Sequence, residues 1–126
     1  MTPRLDHVGL DVSDYQTSKA FYESALAPVG MKLIMEPAPE VGGFGEDFPF
    51  FWIAKRERGP DSGVHVAFAV DDRETVDAFH AAALAAGGKD NGGPGVREIY
   101  HPSYYGAFVL DPDGNNVEAV CHTPAA

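Results

Sequence analysis

A shift of 58 residues lays His7–Gly30 on His65–Gly88 without a gap, and eleven of the 24 superposed pairs are identical. The identities include His7/His65, Val8/Val66, Val12/Val70, Asp14/Asp72, Thr17/Thr75, Phe21/Phe79 and Gly30/Gly88. A repeat of this length is one supersecondary unit written twice, and a pseudo-twofold axis is the natural way to pack its two copies. A histidine heads each copy. Two imidazoles related by such an axis can converge on one point, which suggests a metal ion.

Within each copy the periodicity changes once. Leu5–Val12 alternates as a strand does, and Tyr22, Ala25, Leu26 and Val29 then recur at helical spacing until Gly30. Ser13 with Gln16 three residues later reads as a capping box for this helix. The second copy follows the same order: strand Val64–Val70, cap Asp71 with Glu74, stripe Phe79, Ala82, Ala83 and Ala86, stop at Gly87-Gly88. Shorter β-like runs come next. They are Met31–Met35, Val41–Phe44 and Phe50–Ala54 in the first half, then Val96–Tyr100, Tyr105–Leu110 and Asn116–His122 in the second. Asp111-Pro112-Asp113-Gly114 has the chemistry of a hairpin turn. Two segments read as irregular, Glu36–Pro49 and Gly87–Gly95, each either a lid or a long connection. The class is therefore α+β, with two βαβββ modules (about residues 4–58 and 62–122) in one domain spanning 1–126. The expected architecture is one curved mixed sheet with both helices on its convex side.

The chain of 126 residues carries 19 Asp plus Glu against 9 Lys plus Arg, a net charge of −10. Nucleic acid and anionic membranes are poor partners for such a surface, because both require a basic footprint. The cluster Lys55, Arg56 and Arg58 reads as a solvated loop. No apolar run approaches the roughly 18 residues of a membrane span. The N-terminus passes almost at once into a strand pattern, so no signal peptide is expected. A single cysteine, Cys121, forbids an intrachain disulfide and fits a reducing cytoplasm, where it reads as a small buried hydrophobe.

The two repeat-related histidines call for a third ligand on a neighbouring strand. Glu118 is the candidate, because it lies between Val117 and Ala119-Val120, where an unpartnered carboxylate would be costly. Two histidines and one carboxylate leave coordination positions open, as a catalytic metal needs and a structural one does not. Tyr104 and His101 offer a phenol and an imidazole for acid–base work; equally, Tyr104 covers a sheet edge and His101 opens a turn before Pro102. His80 reads as packing and His122 as solvated. Trp52 faces either a ligand pocket or the core.

The motifs Leu5-Asp-His-Val-Gly-Leu, Gly63-Val-His-Val-Ala-Phe and Phe108-Val-Leu-Asp-Pro-Asp-Gly-Asn-Asn-Val-Glu118 resemble those of the vicinal oxygen chelate superfamily, over roughly residues 4–122. That superfamily includes glyoxalase I, extradiol dioxygenases, fosfomycin-resistance thiol transferases and bleomycin-resistance proteins. The resemblance implies paired βαβββ modules in a homodimer, with His7, His65 and Glu118 as metal ligands on the first, fifth and eighth strands. It also implies that Tyr104, Gly106 and Phe108 face the metal. Where glyoxalase I has a fourth ligand, this chain has Phe50-Phe-Trp-Ile-Ala54, so the implied site has three.

The expected function is that of a divalent-metal-dependent enzyme of glyoxalase or dioxygenase type. Its small substrate would chelate the metal through adjacent oxygens, with Tyr104 and His101 as catalytic groups and Trp52 and Phe108 lining the pocket. Mn, Fe, Co, Ni and Zn suit the ligand set alike. The alternative is a metal-free homodimeric protein of bleomycin-resistance type that sequesters a small molecule.

Overall fold

A computed structural model describes residues 2–125 of the chain. The order of elements is β1 (Val8–Asp11), α1 (Tyr15–Leu26), β2 (Lys32–Ala38), β3 (Val41–Gly45) and β4 (Phe51–Ala54). The second half repeats it as β5 (His65–Ala69), α2 (Arg73–Ala85), β6 (Lys89–Val96), β7 (Tyr105–Leu110) and β8 (Asn116–Cys121). Both halves are βαβββ modules. Each forms a four-stranded mixed sheet of the same topology, β1-β4-β3-β2 and β5-β8-β7-β6. The first and last strands of a module run parallel and the other neighbours antiparallel. Among the described residues no strand pairing joins the two sheets into one.

The helices begin one residue later than the capping pattern suggests. Asp14 caps α1 by accepting the Thr17 N–H at 3.0 Å, and Asp72 caps α2 by accepting the Thr75 N–H at 2.8 Å. Asp72 also accepts the Thr75 hydroxyl. An ionised side chain is the stronger acceptor for the first-turn amides, and both Asp–Thr pairs are conserved between the two copies of the repeat.

Both segments expected to be irregular contain strands. β2 and β3 occupy much of 36–49. β6 runs through the glycine-rich stretch, whereas Val96–Tyr100, expected as a strand, contributes only its first residue. β6 is an edge strand, so Pro94 needs no ladder partner there. Glycine also admits the register shifts that bend β6 against β7.

Strand alternation sends Leu10, Val12, Phe51 and Ile53 to the α1 side of the first sheet, and Ala107, Val109, Val117, Ala119 and Cys121 to the α2 side of the second. The core is continuous between modules. Phe51 meets Phe68 edge-on at 5.3 Å, and Tyr22 packs on Phe21, Phe44 and Phe51. The Tyr22 hydroxyl, fully buried, donates to Asp111 at 2.5 Å and so ties α1 to the last turn of the other module. That turn holds itself together: Asp111 accepts the amides of Asp113 and Asn115, both at 2.9 Å, while Asn115 bonds the linker at Asp61 and Val64. No helix among the described residues is long and apolar enough to cross a membrane.

Gly88 shows how tightly α2 meets its sheet. A Cβ there would lie 2.4 Å from Val109 Cγ1 and 2.8 Å from Phe21 Cε1. Gly88→Ala is therefore expected to lower stability by about 1–3 kcal/mol through overpacking. Gly93→Ala, where a Cβ meets nothing, should stay within about 1 kcal/mol. Urea unfolding of the two variants checks the difference.

Candidate functional site

One face of each sheet is covered by a helix. The other alternates in the opposite phase and carries the polar side chains. On the first sheet His7, Gly9 and Asp11 share this open face with Trp52, Ala54 and Gly43. On the second, His65 and Ala67 share it with Glu118, Tyr104, Gly106, Phe108 and Arg97.

The second face holds the tightest polar cluster. Glu118 has 0% of its surface exposed, although no helix covers it. His65 Nε2 lies 2.8 Å from one carboxylate oxygen, and the Tyr104 hydroxyl donates to the other. Burying an ionised carboxylate without such partners would cost several kcal/mol (about 1–3 for each unmet polar group, more for a charge). Gly106 makes the arrangement possible: a Cβ there would come within 3.0 Å of the Glu118 oxygen and 3.2 Å of the Tyr104 ring. Burial, followed by the bond to the Glu118 carboxylate, holds the Tyr104 hydroxyl protonated well above its usual range, and the Arg97 charge works against that rise. Phe108 flanks His65 with ring centres 6.1 Å apart.

On the first face a cleft of about 630 Å³ is lined by His7, Asp11, Trp52, Arg56 and Arg58, among others. Trp52 thus faces the cleft and not the core. Its ring lies over Gly43, where a Cβ would come within 2.8 Å of two ring atoms. Arg56 and Arg58 are more than solvated loop residues. Both guanidiniums pair with the buried Asp11 carboxylate, and the Asp11 N–H donates to Asp61 at 2.7 Å. Asp11 was not singled out in the sequence, although it shares the strand phase of His7, which was signal enough.

The structure thus joins His65, Glu118 and Tyr104 and leaves His7 apart from them. The His7 side chain is exposed and bonds its neighbour Asp6 at 2.6 Å. Among the described residues no three His, Cys, Asp or Glu side chains gather closely enough to hold a metal ion. His65 and Glu118 could serve as two donors to a divalent ion, and the described residues bring no third beside them. His101 is turned away from the Glu118 carboxylate. Its Nε2 pairs with His122 Nδ1 at 2.9 Å, and its ring packs edge-on against Tyr104. His80 bonds Asp90 at 3.0 Å, and Cys121 is free and buried.

The registers also fix what stands opposite the two repeats of the first strand. Gly9 and Ala67 are equivalent in the repeat; Gly9 pairs with Trp52, and Ala67 pairs with Glu118. Trp52 therefore occupies in the first module the place that Glu118 holds in the second.

Residues 4–119 match the family model of the Glyoxalase/Bleomycin resistance protein/Dioxygenase superfamily. Among solved structures, a glyoxalase/bleomycin resistance protein from Albidiferax ferrireducens T118 is similar with a TM-score of 0.78 and 30% identity, over 92% of this chain and 96% of that one. A glyoxalase/bleomycin resistance protein/dioxygenase family enzyme from Burkholderia phytofirmans PsJN has a TM-score of 0.76 and 24% identity, over 96% of this chain and all (100%) of that one. A lactoylglutathione lyase from Agrobacterium tumefaciens shares the fold, with a TM-score of 0.69 at 17% identity over 95% of this chain and 94% of that one. No curated protein matches the chain.

Replacing Tyr104 by Phe strips a hydrogen bond from a buried carboxylate and is expected to cost about 1–3 kcal/mol at neutral pH. Because the folded pKa of Tyr104 is raised above its ordinary value of 10.0, this contribution is fully present below that pH. It is lost as pH climbs further, since only the unfolded phenol releases its proton there. Denaturant unfolding of metal-free protein from pH 7 upward should show the gap between wild type and Tyr104→Phe narrowing above about pH 10.

Proposed function

We propose that this chain, which belongs to the glyoxalase/bleomycin resistance protein/dioxygenase superfamily, is a divalent-metal-dependent enzyme whose site is completed by two copies of the chain. His65 and Glu118 of one copy and His7 of its partner would hold the ion. The substrate would be a small molecule presenting adjacent oxygens to it. The observation that carries this reading is the fully buried Glu118 carboxylate set 2.8 Å from His65 Nε2 on a face that no helix covers.

His7 supports the same reading from the other module. It heads the first copy of the repeat as His65 heads the second, on the corresponding open face. A twofold that lays one open face against the other brings the two histidines together. Apolar side chains stand exposed beside both faces: Leu5 (89%) and Phe48 (79%) near His7, Ile99 (87%) and Tyr100 near Tyr104. Such groups are what a homodimer contact would cover. Bound there, the ion would act as a Lewis acid, stabilising negative charge that develops on the chelated oxygens. Tyr104 keeps a proton on its hydroxyl beside Glu118, in position to orient a ligand oxygen. His101 steadies the Tyr104 ring and stays clear of the reacting atoms. Trp52, across the cleft, would form the apolar wall. The free buried cysteine and the acidic composition support a cytoplasmic setting for this activity, away from nucleic acid.

One observation favours a second reading, a metal-free binding protein. Both Glu118 oxygens and one His7 nitrogen already have protein partners. In that case an aromatic or drug-like ligand would lodge between Trp52 and Phe108 with no ion present.

Nickel or manganese titration of chelator-stripped protein separates the two. The first reading predicts stoichiometric binding that His7→Ala, His65→Ala and Glu118→Ala each abolish. Unfolding and refolding His7→Ala together with Glu118→Ala should then restore about a quarter of wild-type capacity, the expectation for random pairing of two-site dimers. Metal binding untouched by the three substitutions, or absent from wild type, contradicts it.

A further inference from the structure

The glycine-rich strand β6 has a purpose beyond connection. Its register against β7 slips twice, between Asp90 and Gly92 and between Gly92 and Gly95, so that Gly93 has no cross-strand partner. The carbonyl freed at Gly93 accepts Arg97 Nη2 at 2.7 Å, and the Gly95 carbonyl accepts Arg97 Nη1 at 2.9 Å. The guanidinium lies 5.3 Å from the centre of the Phe108 ring. The glycines at both flanks let the guanidinium lie close. A Cβ on Gly92 would come within 3.2 Å of Nη2, and one on Gly95 within 3.1 Å of Nη1. Bulges re-aim side chains in this way, and here the result is a fixed, flat cation.

The partners of this cation matter most. In a chain with 19 carboxylates to 9 Lys plus Arg, Arg56 and Arg58 both spend their charge on Asp11. Arg97 is instead held by neutral carbonyls, and among the described residues no carboxylate pairs with it. Glu118, on the same face, has both oxygens taken by His65 and Tyr104. Arg97 has five N–H donors and uses two, so three remain along with the whole positive charge. The Arg97 backbone N–H bonds the Tyr104 carbonyl at 2.7 Å, which fixes the residue beside the Tyr104–Glu118 cluster.

We propose that Arg97 is an anion receptor, and that the ligand taken up by this face carries a carboxylate held by the free edge of the guanidinium. The inference rests on reading the open face of the second module as the ligand site, and it does not require the metal. It gives β6 its composition: the glycines seat a cation whose charge no carboxylate among the described residues neutralises. Guanidinium and carboxylate match in shape and can pair through two parallel bonds.

The test follows the Arg97 Nε–H resonance of isotopically labelled, metal-free protein at constant ionic strength, titrated with acetate, inorganic phosphate or neutral acetamide. Acetate should shift it along a saturating curve, acetamide should not, and an exposed arginine such as Arg4 should respond to neither. Acetate affinity, read from neighbouring backbone amides, should fall about tenfold in Arg97→Gln, the weight of a charge-assisted pair. Arg97→Lys should recover part of it, since the charge persists without the seat. Because the titration is made on metal-free protein, a failure of nickel to bind the wild type leaves the acetate result standing, so the metal reading and this one fail separately. A linear response, an equal response to acetamide, undiminished affinity in Arg97→Gln, or saturation by phosphate alone overturns the proposal.

Discussion

Each sheet of this protein has a helix on one face only, and every other arrangement in the molecule follows from that. Strand alternation then divides the residues into two sets. One set, with Leu10, Phe51, Ile53, Val109, Val117 and Ala119, is buried against α1 and α2 and makes a single core across both modules. The other set faces outward and is free to carry chemistry: His7, Asp11 and Trp52 on the first sheet, His65, Tyr104, Phe108 and Glu118 on the second. An uncovered face normally leaves a carboxylate in water. Glu118 is buried nonetheless, because side chains and not a helix enclose it, and Gly106 leaves the space they need. His65 and Tyr104 are the side chains that bond the buried carboxylate on this face.

The two modules keep the positions that fold them and differ at the positions that face outward. Val8/Val66, Val12/Val70, Phe21/Phe79 and Ala25/Ala83 are retained, as are both Asp–Thr helix caps. The open faces have diverged, except at His7 and His65. Trp52 stands where the register equivalent is Glu118, and the paired Asp11–Arg56–Arg58 group has no copy in the second module. Two unlike half-sites are a sound basis for a chemically asymmetric site, one wall apolar and the other ligating. The Asp111 turn accounts for the strongest motif in the chain differently. It ties the buried Tyr22 hydroxyl and the 61–64 linker to β8, holding the modules in register with one another.

Much of this was legible in the sequence because it is local and repeated. The two βαβββ modules, the helix stripes and the Asp-Pro-Asp-Gly turn all follow from periods and turn chemistry, and Glu118 was marked by its apolar neighbours. The caps fell one residue away because Ser13 and Asp14, like Asp71 and Asp72, are all competent acceptors, and only the backbone decides which one turns inward. β6 was hidden because five glycines in 87–95 carry no side-chain alternation to read. Arg97 was hidden for the same reason: its partners are backbone carbonyls aimed by bulges, which leave no residue-type signature. The distance between His7 and the His65–Glu118 pair was equally invisible. A repeat implies that two residues are equivalent, and equivalence under a pseudo-twofold does not require that they meet within one chain.

The central claim is that one ion bridges the open faces of two copies, and anomalous diffraction from crystals grown with nickel or manganese reads this directly. The account predicts one peak per chain, bonded to His65 Nε2 and Glu118 of one copy and to a His7 imidazole of another. A peak ligated within a single chain, or none beside Glu118, would contradict it.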